Sequence, residues 1–377
     1  MKRNINVYVA ILLITALVFS FLTIYAFGHE EHRKISISAR SAALYQPELK
    51  VFLFSKNADT RMPMASTTKI MTGLVAIDNC DLTDVVVIDE NSVGIEGSSA
   101  YLRIGDELTM EELIYALLLQ SANDAATAIA YHIGGNVEDF ASLMNDKAQT
   151  LGLQNTHFTN PHGLDDEEHY TTAEDLAIIA AEAMKNDTFK SIVSTYKKTF
   201  STEERSRTYV NHNKLLRMYD GCIGIKTGFT KKSGRCLVAA AERDGLTFIS
   251  VTLDAPSDWN DHKKMFDLGF ESLEKITLAE PEEYCYKIPL LDGEADEITV
   301  TNPEGASLIL DKGDYDIQKQ IKLIRYAIAP VKSGDILGEI IFTIDGQEAK
   351  RVSLIAQETV LKKKEKGLLD RFLSIFK

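Results

Sequence analysis

The residues of this sequence that are best suited to chemistry are a serine and a lysine three positions apart, Ser66 and Lys69. At this spacing both side chains lie on one face of a helix, which the apolar positions that follow predict as far as Asn79. A serine hydroxyl becomes a nucleophile when a base lies beside it, and a lysine is such a base only when its pKa falls well below about 10.4. The pair therefore predicts a serine activated by an amine.

Two further motifs distinguish this pair from chance repeats of the same spacing. The Ser-x-x-Lys spacing recurs at three other places: Ser194 and Lys197, Ser272 and Lys275, and Ser374 and Lys377. Only Ser66 is followed by a Ser-x-Asn motif, Ser121-Ala122-Asn123, and then by Lys226-Thr227-Gly228 in a predicted strand. The second motif offers a hydroxyl and an amide, and the glycine of the third leaves room for a substrate backbone. The order of the motifs predicts an acyl-transfer site.

Helices are predicted to deliver the first two motifs. Capping boxes at Thr109-Met110-Glu111-Glu112 and Thr171-Thr172-Ala173-Glu174 each indicate the start of a helix. The serine and asparagine of the second motif fall in a polar break before a helix over residues 125–132, which Gly134-Gly135 ends. Asp258 is predicted to cap a helix over residues 259–273.

Strands are predicted over residues 41–45, 50–54, 221–229, 235–242 and 246–254. Asp244-Gly245 joins the last two as a tight hairpin, so these strands are expected to be antiparallel neighbours. Beyond residue 276 the sequence changes to short strands separated by turns, which predicts a small all-β domain.

Length and charge limit the classes of partner. A chain of 377 residues is long enough for two domains and appendages. The net charge of -14 argues against nucleic acid as a partner, because phosphate binding needs a basic face.

The start of the chain predicts export. Met1-Lys2-Arg3 is basic, and the apolar run over residues 7–27 carries no charge. Small residues in Ala26-Phe27-Gly28 favour cleavage after Gly28, although the run is long enough to remain as a membrane anchor.

The end of the chain predicts a basic amphipathic helix over residues 358–377. Its basic positions are Lys362, Lys363, Lys364, Lys366, Arg371 and Lys377, and its apolar positions are Leu368, Leu369, Phe372, Leu373 and Phe376. Such a helix is typical of attachment to an anionic membrane surface, and the alternative is packing on the β domain.

The four cysteines, at positions 80, 222, 236 and 285, do not have the spacing of a metal site built on cysteines. Export permits a disulfide, and Cys222 and Cys236 lie on neighbouring predicted strands. A bond between them and two free buried thiols are both compatible with the sequence.

In its three ordered motifs the sequence resembles the serine D-alanyl-D-alanine carboxypeptidases, which are low-molecular-mass penicillin-binding proteins. The likeness extends to Lys56-Asn57-Ala58-Asp59, Asn160-Pro161-His162-Gly163-Leu164, His169-Tyr170-Thr171-Thr172-Ala173 and Gly224-Ile225-Lys226-Thr227-Gly228-Phe229-Thr230. It is strong over about residues 40 to 275 and loose over the β domain.

This resemblance implies an α/β (α+β) catalytic domain of the β-lactamase/transpeptidase type, with an antiparallel sheet flanked by helices. We expect four parts: an export signal or anchor at 1–28, the catalytic domain at 29–275, the all-β domain at 276–357 and the amphipathic helix at 358–377. The resemblance also implies a location on the outer face of the cytoplasmic membrane, on the cell wall side.

The resemblance implies a role for each catalytic residue. Ser66 attacks the carbonyl of the penultimate D-alanine of a peptidoglycan stem peptide, and Lys69 takes its proton. Ser121 relays a proton toward the departing D-alanine. Water then hydrolyses the acyl-enzyme, whereas a β-lactam is expected to acylate Ser66 and to leave slowly. No cofactor and no metal are expected.

The remaining motif residues are expected to bind the substrate. Asn123 holds a substrate amide, Lys226 and Thr227 face the terminal carboxylate, and Gly228 lies alongside the substrate. The backbone N–H groups of Ser66 and Phe229 form the oxyanion hole. Lys226 is also a second cation that lowers the pKa of the base.

Other functions share parts of this pattern. A β-lactamase needs a glutamate that activates water, and Glu167, Glu168 and Glu174 lie between the second and third motifs. An endopeptidase would cut peptidoglycan cross-bridges with the same machinery. A zinc peptidase would use histidines, and His157, His162 and His169 lie near acids without a helix-borne ligand spacing. A non-catalytic wall-binding protein has no need of the intact motif set.

Two departures from the family pattern affect the expected substrate preference. Ser233 and Arg235 stand where the family more often has alanine and an aromatic residue. Tyr45-Gln46-Pro47-Glu48 replaces a more usual glycine turn.

Overall fold

The structure is a computed structural model that describes residues 35–201 and 205–364. The described residues from Ile37 onward belong to one compact unit. The predicted export segment, the pair Ser374 and Lys377, and most of the predicted C-terminal helix lie outside the described residues.

Helices and strands are numbered in chain order over the described residues. The helices are α1 (Lys69–Asn79), α2 (Met110–Leu118), α3 (Asn123–Gly134), α4 (Val137–Thr150), α5 (Ala173–Ala183), α6 (Asp187–Ser194), α7 (Leu215–Met218) and α8 (Asp258–Ser272). Short 3₁₀ turns occur at Ala65–Thr68 and Glu90–Ser92.

The strands of the first part are β1 (Ser41–Gln46), β2 (Val51–Lys56), β3 (Val85–Val87), β4 (Glu107–Thr109), β5 (Lys197–Ser201), β6 (Ser206–Val210), β7 (Cys222–Thr230), β8 (Gly234–Arg243) and β9 (Leu246–Leu253). Those of the second part are β10 (Leu273–Ala279), β11 (Cys285–Leu291), β12 (Glu297–Thr301), β13 (Ala306–Asp311), β14 (Ile317–Leu323), β15 (Ala327–Ile328), β16 (Ile336–Ile344) and β17 (Gln347–Ala356).

A five-stranded antiparallel sheet of order β2-β1-β9-β8-β7 forms the centre of the first part, which confirms the predicted sheet. Alternate residues of β9 face opposite sides. Ile249 and Val251 join the large core that includes residues of α5, while Phe248 packs on Phe270 of α8 with 4.9 Å between ring centroids. Helices therefore flank both faces of the sheet, with β7 at one edge.

The second part is all-β, as predicted. Its six-stranded sheet has the order β14-β16-β17-β12-β11-β15, and β10 pairs with β13 beside it. It has a hydrophobic core of its own, which includes Ile288, Val300, Ile340 and Leu354.

The first residues of the predicted amphipathic helix are not helical. Val360 forms a bridge with Val331, and Lys362 forms one with Gly293, so residues 358–364 run as extended chain against the β domain. The helix prediction is wrong for these residues because backbone hydrogen bonds to neighbouring loops hold them extended. Within the two described ranges, no helix is long and apolar enough to cross a membrane.

The possible disulfide is also excluded by strand register. Cys222 lies opposite Ala241 and Cys236 lies opposite Gly228, so the two cysteines are at different heights in the hairpin. Both are free thiols.

Two predicted helix caps are displaced by one residue. Thr172, not Thr171, accepts a hydrogen bond at the start of α5, from the N–H of Asp175. Ser257 is the N-cap position of α8. Asp258 is the first helical residue, and its carboxylate pairs with Arg235 instead of capping the helix.

Candidate active site

Ser66 and Lys69 lie where a 3₁₀ turn leads into α1. Lys69 Nζ is 3.0 Å from Ser66 Oγ, 2.6 Å from Asn123 Oδ1, and also donates to the carbonyl of His162. The Lys69 side chain is fully buried. Nucleophile and base are thus in direct contact, as their spacing predicted, although Ser66 precedes the α-helix proper.

Burial is the main reason that Lys69 can serve as a base. It lowers the pKa of Lys69 well below 10.5, and the positive charge of Lys226 lowers it further, while the carboxylate of Asp124 acts in the opposite direction. The predicted effect of Lys226 is therefore confirmed in direction, but desolvation of the ammonium is larger.

Ser121 and Lys226 form a second pair of a serine and a buried lysine. Ser121 lies between α2 and α3 with a positive φ of 63°, and its Oγ accepts a hydrogen bond of 3.0 Å from Lys226 Nζ. Lys226 also donates to the Thr227 carbonyl at 2.8 Å. Burial lowers the pKa of Lys226 to about 7.

The side chain of Asn123 contacts the base directly. Its Oδ1 accepts from Lys69, and its Nδ2 donates to the carbonyl of Glu96. One N–H of the amide remains for a substrate. The sequence predicted only the substrate contact, so the hydrogen bond to Lys69 is an additional role.

Asp124 is a site residue that the motif analysis missed. Its side chain is buried and accepts hydrogen bonds from Ser99 Oγ at 2.6 Å, from the Ala100 N–H at 2.9 Å and from the Leu102 N–H at 3.1 Å. The carboxylate therefore anchors the loop that lines the cleft in front of α3. The available signal was an acid immediately after the Ser-x-Asn motif, in the first turn of a helix.

The Asn-Pro-His-Gly-Leu segment packs against the start of α1. Thr72 Oγ1 donates to the Pro161 carbonyl at 2.6 Å, and Gly163 has a φ of 86°. A Cβ at Gly163 would lie 2.0 Å from the carbonyl oxygen of Ala65, so a side chain cannot be accommodated there. This close approach positions the His162 carbonyl against the base.

His169 holds the 3₁₀ turn that precedes α1 by a hydrogen bond to Thr68. Its Nδ1 accepts from the Thr159 N–H at 3.0 Å, so its Nε2 carries the proton and donates to Thr68 Oγ1 at 2.7 Å. Burial lowers the pKa of His169 to about 4, which keeps the ring neutral at physiological pH.

The three histidines considered for a zinc site have other roles. His169 holds Thr68, the His162 carbonyl accepts from Lys69, and His157 Nδ1 lies 2.6 Å from the Glu168 carbonyl. Within the described residues they do not form a group of metal-ligand atoms.

The edge strand β7 lies against the nucleophile. A Cβ at Gly228 would lie 3.0 Å from the backbone nitrogen of Ser66 and 3.2 Å from the Ala65 side chain. The glycine thus allows the strand to approach the turn that carries the predicted oxyanion-hole N–H. Phe229, the other predicted donor residue, follows at once and is 65% exposed.

These elements enclose a cleft of about 360 Å³. It is lined by Ser66, Ser98, Ser121, His212, Lys214, Thr227, Gly228, Phe229, Arg235, Cys236, Asp258 and Trp259. Arg235, one of the departures from the family pattern, makes a bidentate contact with Asp258 at 2.8 and 3.1 Å. Ser233 instead closes the β7–β8 turn by accepting from the Thr230 N–H.

Comparisons with known proteins agree with this geometry. Residues 28–257 match the model of the D-alanyl-D-alanine carboxypeptidase family, peptidase S11, and residues 273–362 match the C-terminal domain of penicillin-binding protein 5. The chain is 33% identical over 352 residues to D-alanyl-D-alanine carboxypeptidase DacF of Bacillus subtilis, covering 89% of this chain and 90% of that relative.

Solved structures show the same fold. Penicillin-binding protein 5 from Haemophilus influenzae superposes with a TM-score of 0.63 at 28% identity, covering 87% of this chain and 99% of that one. The Streptomyces K15 DD-transpeptidase matches with a TM-score of 0.60 at 37% identity, covering 63% of this chain and 98% of its own.

Proposed function

The chain belongs to the D-alanyl-D-alanine carboxypeptidase family of serine-type hydrolases, and from that premise we propose that it removes the terminal D-alanine from peptidoglycan stem peptides. The observation that carries the proposal is the contact of 3.0 Å between Ser66 Oγ and the buried amine of Lys69, whose pKa is lowered. This pair supplies the activated nucleophile that acyl transfer needs.

The acylation step uses the hydroxyl groups of Ser66 and Ser121. Neutral Lys69 accepts the Ser66 proton while Ser66 Oγ bonds to the carbonyl carbon of the penultimate D-alanine. The N–H groups of Ser66 and Phe229 stabilise the oxyanion. When the C–N bond breaks, Ser121 passes a proton to the leaving amine, and the Lys226 ammonium stabilises the Ser121 oxygen.

Substrate binding uses the remaining motif residues. Lys226 and Thr227 face the terminal carboxylate, the free N–H of Asn123 contacts a substrate amide, and Gly228 leaves space for the peptide backbone. Water then hydrolyses the acyl-enzyme: its oxygen bonds to the acyl carbon while one of its protons returns to the Ser121 oxygen, the ester bond to Ser66 Oγ breaks, and the Lys69 ammonium returns its proton to Ser66 Oγ. β-Lactams act as covalent inhibitors at Ser66, and no glutamate is among the described residues that line the cleft to speed their removal.

We further propose the location that the sequence predicted and a domain division close to the predicted one. Residues 1–28 direct export, the catalytic domain spans residue 29 to the end of α8, and the enzyme acts at the outer face of the cytoplasmic membrane. The all-β domain begins with β10, three residues before the predicted boundary at 276. The basic and apolar residues of the C-terminal tail, which starts in the described chain at Lys362 to Lys364 and continues beyond it, associate with the anionic membrane surface.

Intact-mass measurement with a fluorescent penicillin tests the central proposal. We expect the wild type to gain the mass of one penicillin and Ser66→Ala to gain none, with parallel loss of D-alanine release from a stem peptide. Ser194→Ala is the matched control, because Ser194 and Lys197 repeat the spacing at an exposed site.

An unlabelled wild type, or a labelled Ser66→Ala, would contradict the proposal. Rapid steady turnover of nitrocefin by the wild type would instead identify a β-lactamase.

A further inference from the structure

The ends of the two helices that carry catalytic residues meet at a cluster of three potential metal ligands. Cys80 follows α1, His132 lies in the last turn of α3, and Asp84 lies in the loop before β3. The sulfur, an imidazole nitrogen and a carboxylate oxygen all lie within 4.8 Å of one another. Because Cys80 and Asp84 lie in the connection between α1 and β3 while His132 comes from α3, cysteine spacing does not reveal the cluster.

The thiol and the imidazole are free to bind a metal, and hydrogen bonds hold the carboxylate in position. Within the two described ranges, neither the Cys80 thiol nor the His132 ring has a hydrogen-bond partner. Asp84 accepts from the Asp81 N–H at 3.1 Å through one oxygen and donates its own N–H to the Asp81 carbonyl, which fixes its turn and leaves its second oxygen free. Cys80 and Asp84 are half-buried, and His132 is exposed.

The donor set selects the class of metal. Sulfur, imidazole and carboxylate together suit Zn²⁺ and its close analogue Co²⁺, whereas Mg²⁺ and Ca²⁺ require oxygen ligands. Ligand atoms of a tetrahedral zinc site are about 3.4–3.8 Å apart, so this cluster needs to contract by at most about 1 Å. A change of rotamer of the exposed His132 side chain supplies that movement.

We propose that Cys80, Asp84 and His132 bind one Zn²⁺ ion, with water as the fourth ligand. On binding, the Cys80 thiol releases its proton to solvent and the thiolate sulfur bonds to the metal. The exposed acid Asp81 adds negative charge beside the site.

The role that follows is structural. Lys69 and Cys80 are eleven residues apart along α1, and Asn123 and His132 nine residues apart along α3. At 1.5 Å per residue the metal therefore lies about 14–17 Å from the catalytic residues. It ties together the far ends of two helices whose first turns hold the base and its amide partner, and it does not touch the substrate.

Cobalt titration of the full chain, after metal removal with a chelator, tests the site. We expect one Co²⁺ per chain, with a thiolate-to-cobalt charge-transfer band and the strong visible absorption of tetrahedral cobalt. The bands should be absent in Cys80→Ser and retained in the matched control Cys285→Ser, which removes an exposed free cysteine elsewhere. Asp84→Asn should weaken binding about 10–100-fold. A wild type without the thiolate band, or Cys80→Ser with it, overturns the proposal.

Thermal unfolding provides a second readout that does not depend on the thiol. Zn²⁺ at about 100 times its Kd should raise the Tm of the wild type by about 4 °C and leave that of His132→Asn unchanged. His132 is exposed, so its substitution should not disturb the metal-free fold, which near-UV circular dichroism verifies. Equal zinc-induced shifts in the two proteins overturn the proposal.

Discussion

The two buried amines beside the catalytic serines, those of Lys69 and Lys226, have different partners. Lys69 contacts the nucleophile and two oxygen acceptors, and Lys226 contacts Ser121 and a carbonyl. With a pKa of about 7, Lys226 is only partly charged at neutral pH in the free protein. A bound carboxylate favours the ammonium, so substrate binding restores the charge that the site needs.

Neutralising Lys226 should change both binding and pH dependence. Acylation requires neutral Lys69, so its rate rises with pH through the pKa of Lys69. Lys226→Gln removes a charge that lowers this pKa, and the acid limb of the acylation profile should move to higher pH. Loss of a buried charge pair with substrate should lower kcat/KM about 100-fold, which corresponds to about 2.7 kcal/mol.

Stopped-flow penicillin acylation from pH 5 to 9, together with D-alanine release, measures both effects. Lys214→Gln, which removes a more exposed cation of the same cleft, is the control. An acid limb that does not move in Lys226→Gln would show that burial alone sets the pKa of Lys69.

At the scale of elements, helix starts and one strand edge deliver the functional groups. The 3₁₀ turn and α1 present Ser66 and Lys69, the start of α3 presents Asn123, and β7 presents Lys226. Thr109 caps α2 by accepting from the Glu112 N–H, which confirms the first predicted cap. Thr109 lies just before α2 and caps it, and Asp124, in the first turn of α3, holds the preceding loop against that helix.

Substitution of Asp124 should shift the pH profile in the direction opposite to Lys226→Gln. The Asp124 carboxylate raises the pKa of Lys69, so Asp124→Asn should move the acid limb to lower pH. The lost hydrogen bonds to Ala100 and Leu102 should also release the loop. We expect kcat/KM to fall about 10–100-fold and the free energy of unfolding to fall by about 2–4 kcal/mol.

Acylation profiles and urea unfolding check this expectation. The control is Asp139→Asn, which changes an exposed acid in the first turn of α4. A limb that moves to higher pH in Asp124→Asn would contradict the electrostatic assignment.

At the scale of the molecule, the order of the three sequence motifs was sufficient to predict which side chains lie together in the candidate active site. Ser66, Lys69, Ser121, Asn123 and Lys226 are brought together as expected, because three local patterns with definite spacing carry them. The antiparallel sheet and the all-β second part also followed from local strand and turn signals.

The missed features depend on contacts between distant segments. Asp124 carried no motif signal, and Gly163 and His169 stood in family-like segments without a predicted role; the roles of all three arise from packing on loops and on the α1 turn. The separation of Cys222 from Cys236 follows from the register that the turn between Thr230 and Gly234 sets, and the irregularity near Cys222 changes its partner by only one residue.

Acid should destabilise the whole fold through a buried histidine away from the cleft. His262 is fully buried between Ser250 and Thr252, and burial lowers its pKa to about 3 from 6.5. Between these values the unfolded chain binds the extra proton, so stability is fully present above pH 6.5 and is lost as pH falls. The loss is about 1.4 kcal/mol per pH unit.

Urea unfolding from pH 7 to 4.5 measures this slope. His262→Gln should be less stable at pH 7 but lose less stability on acidification, by the contribution of about one proton. His157→Gln, at a half-buried histidine, is the control. Equal slopes for His262→Gln and the wild type would contradict the assignment.

Part of the edge strand β7 is buried, and this affects how one copy of the protein can pair with another chain. An edge strand with free backbone groups can pair with any extended chain, including another copy of the protein. Residues Gly224 to Lys226 are buried, and they separate the partly exposed Cys222 and Ile223 from the accessible stretch Thr227 to Thr230 beside the cleft. At about 3.3 Å per residue the accessible edge is about 13 Å long, enough for about four residues. The stretch beside the cleft therefore has room to pair with about four residues of an extended chain, and the buried residues Gly224 to Lys226 limit pairing beyond it.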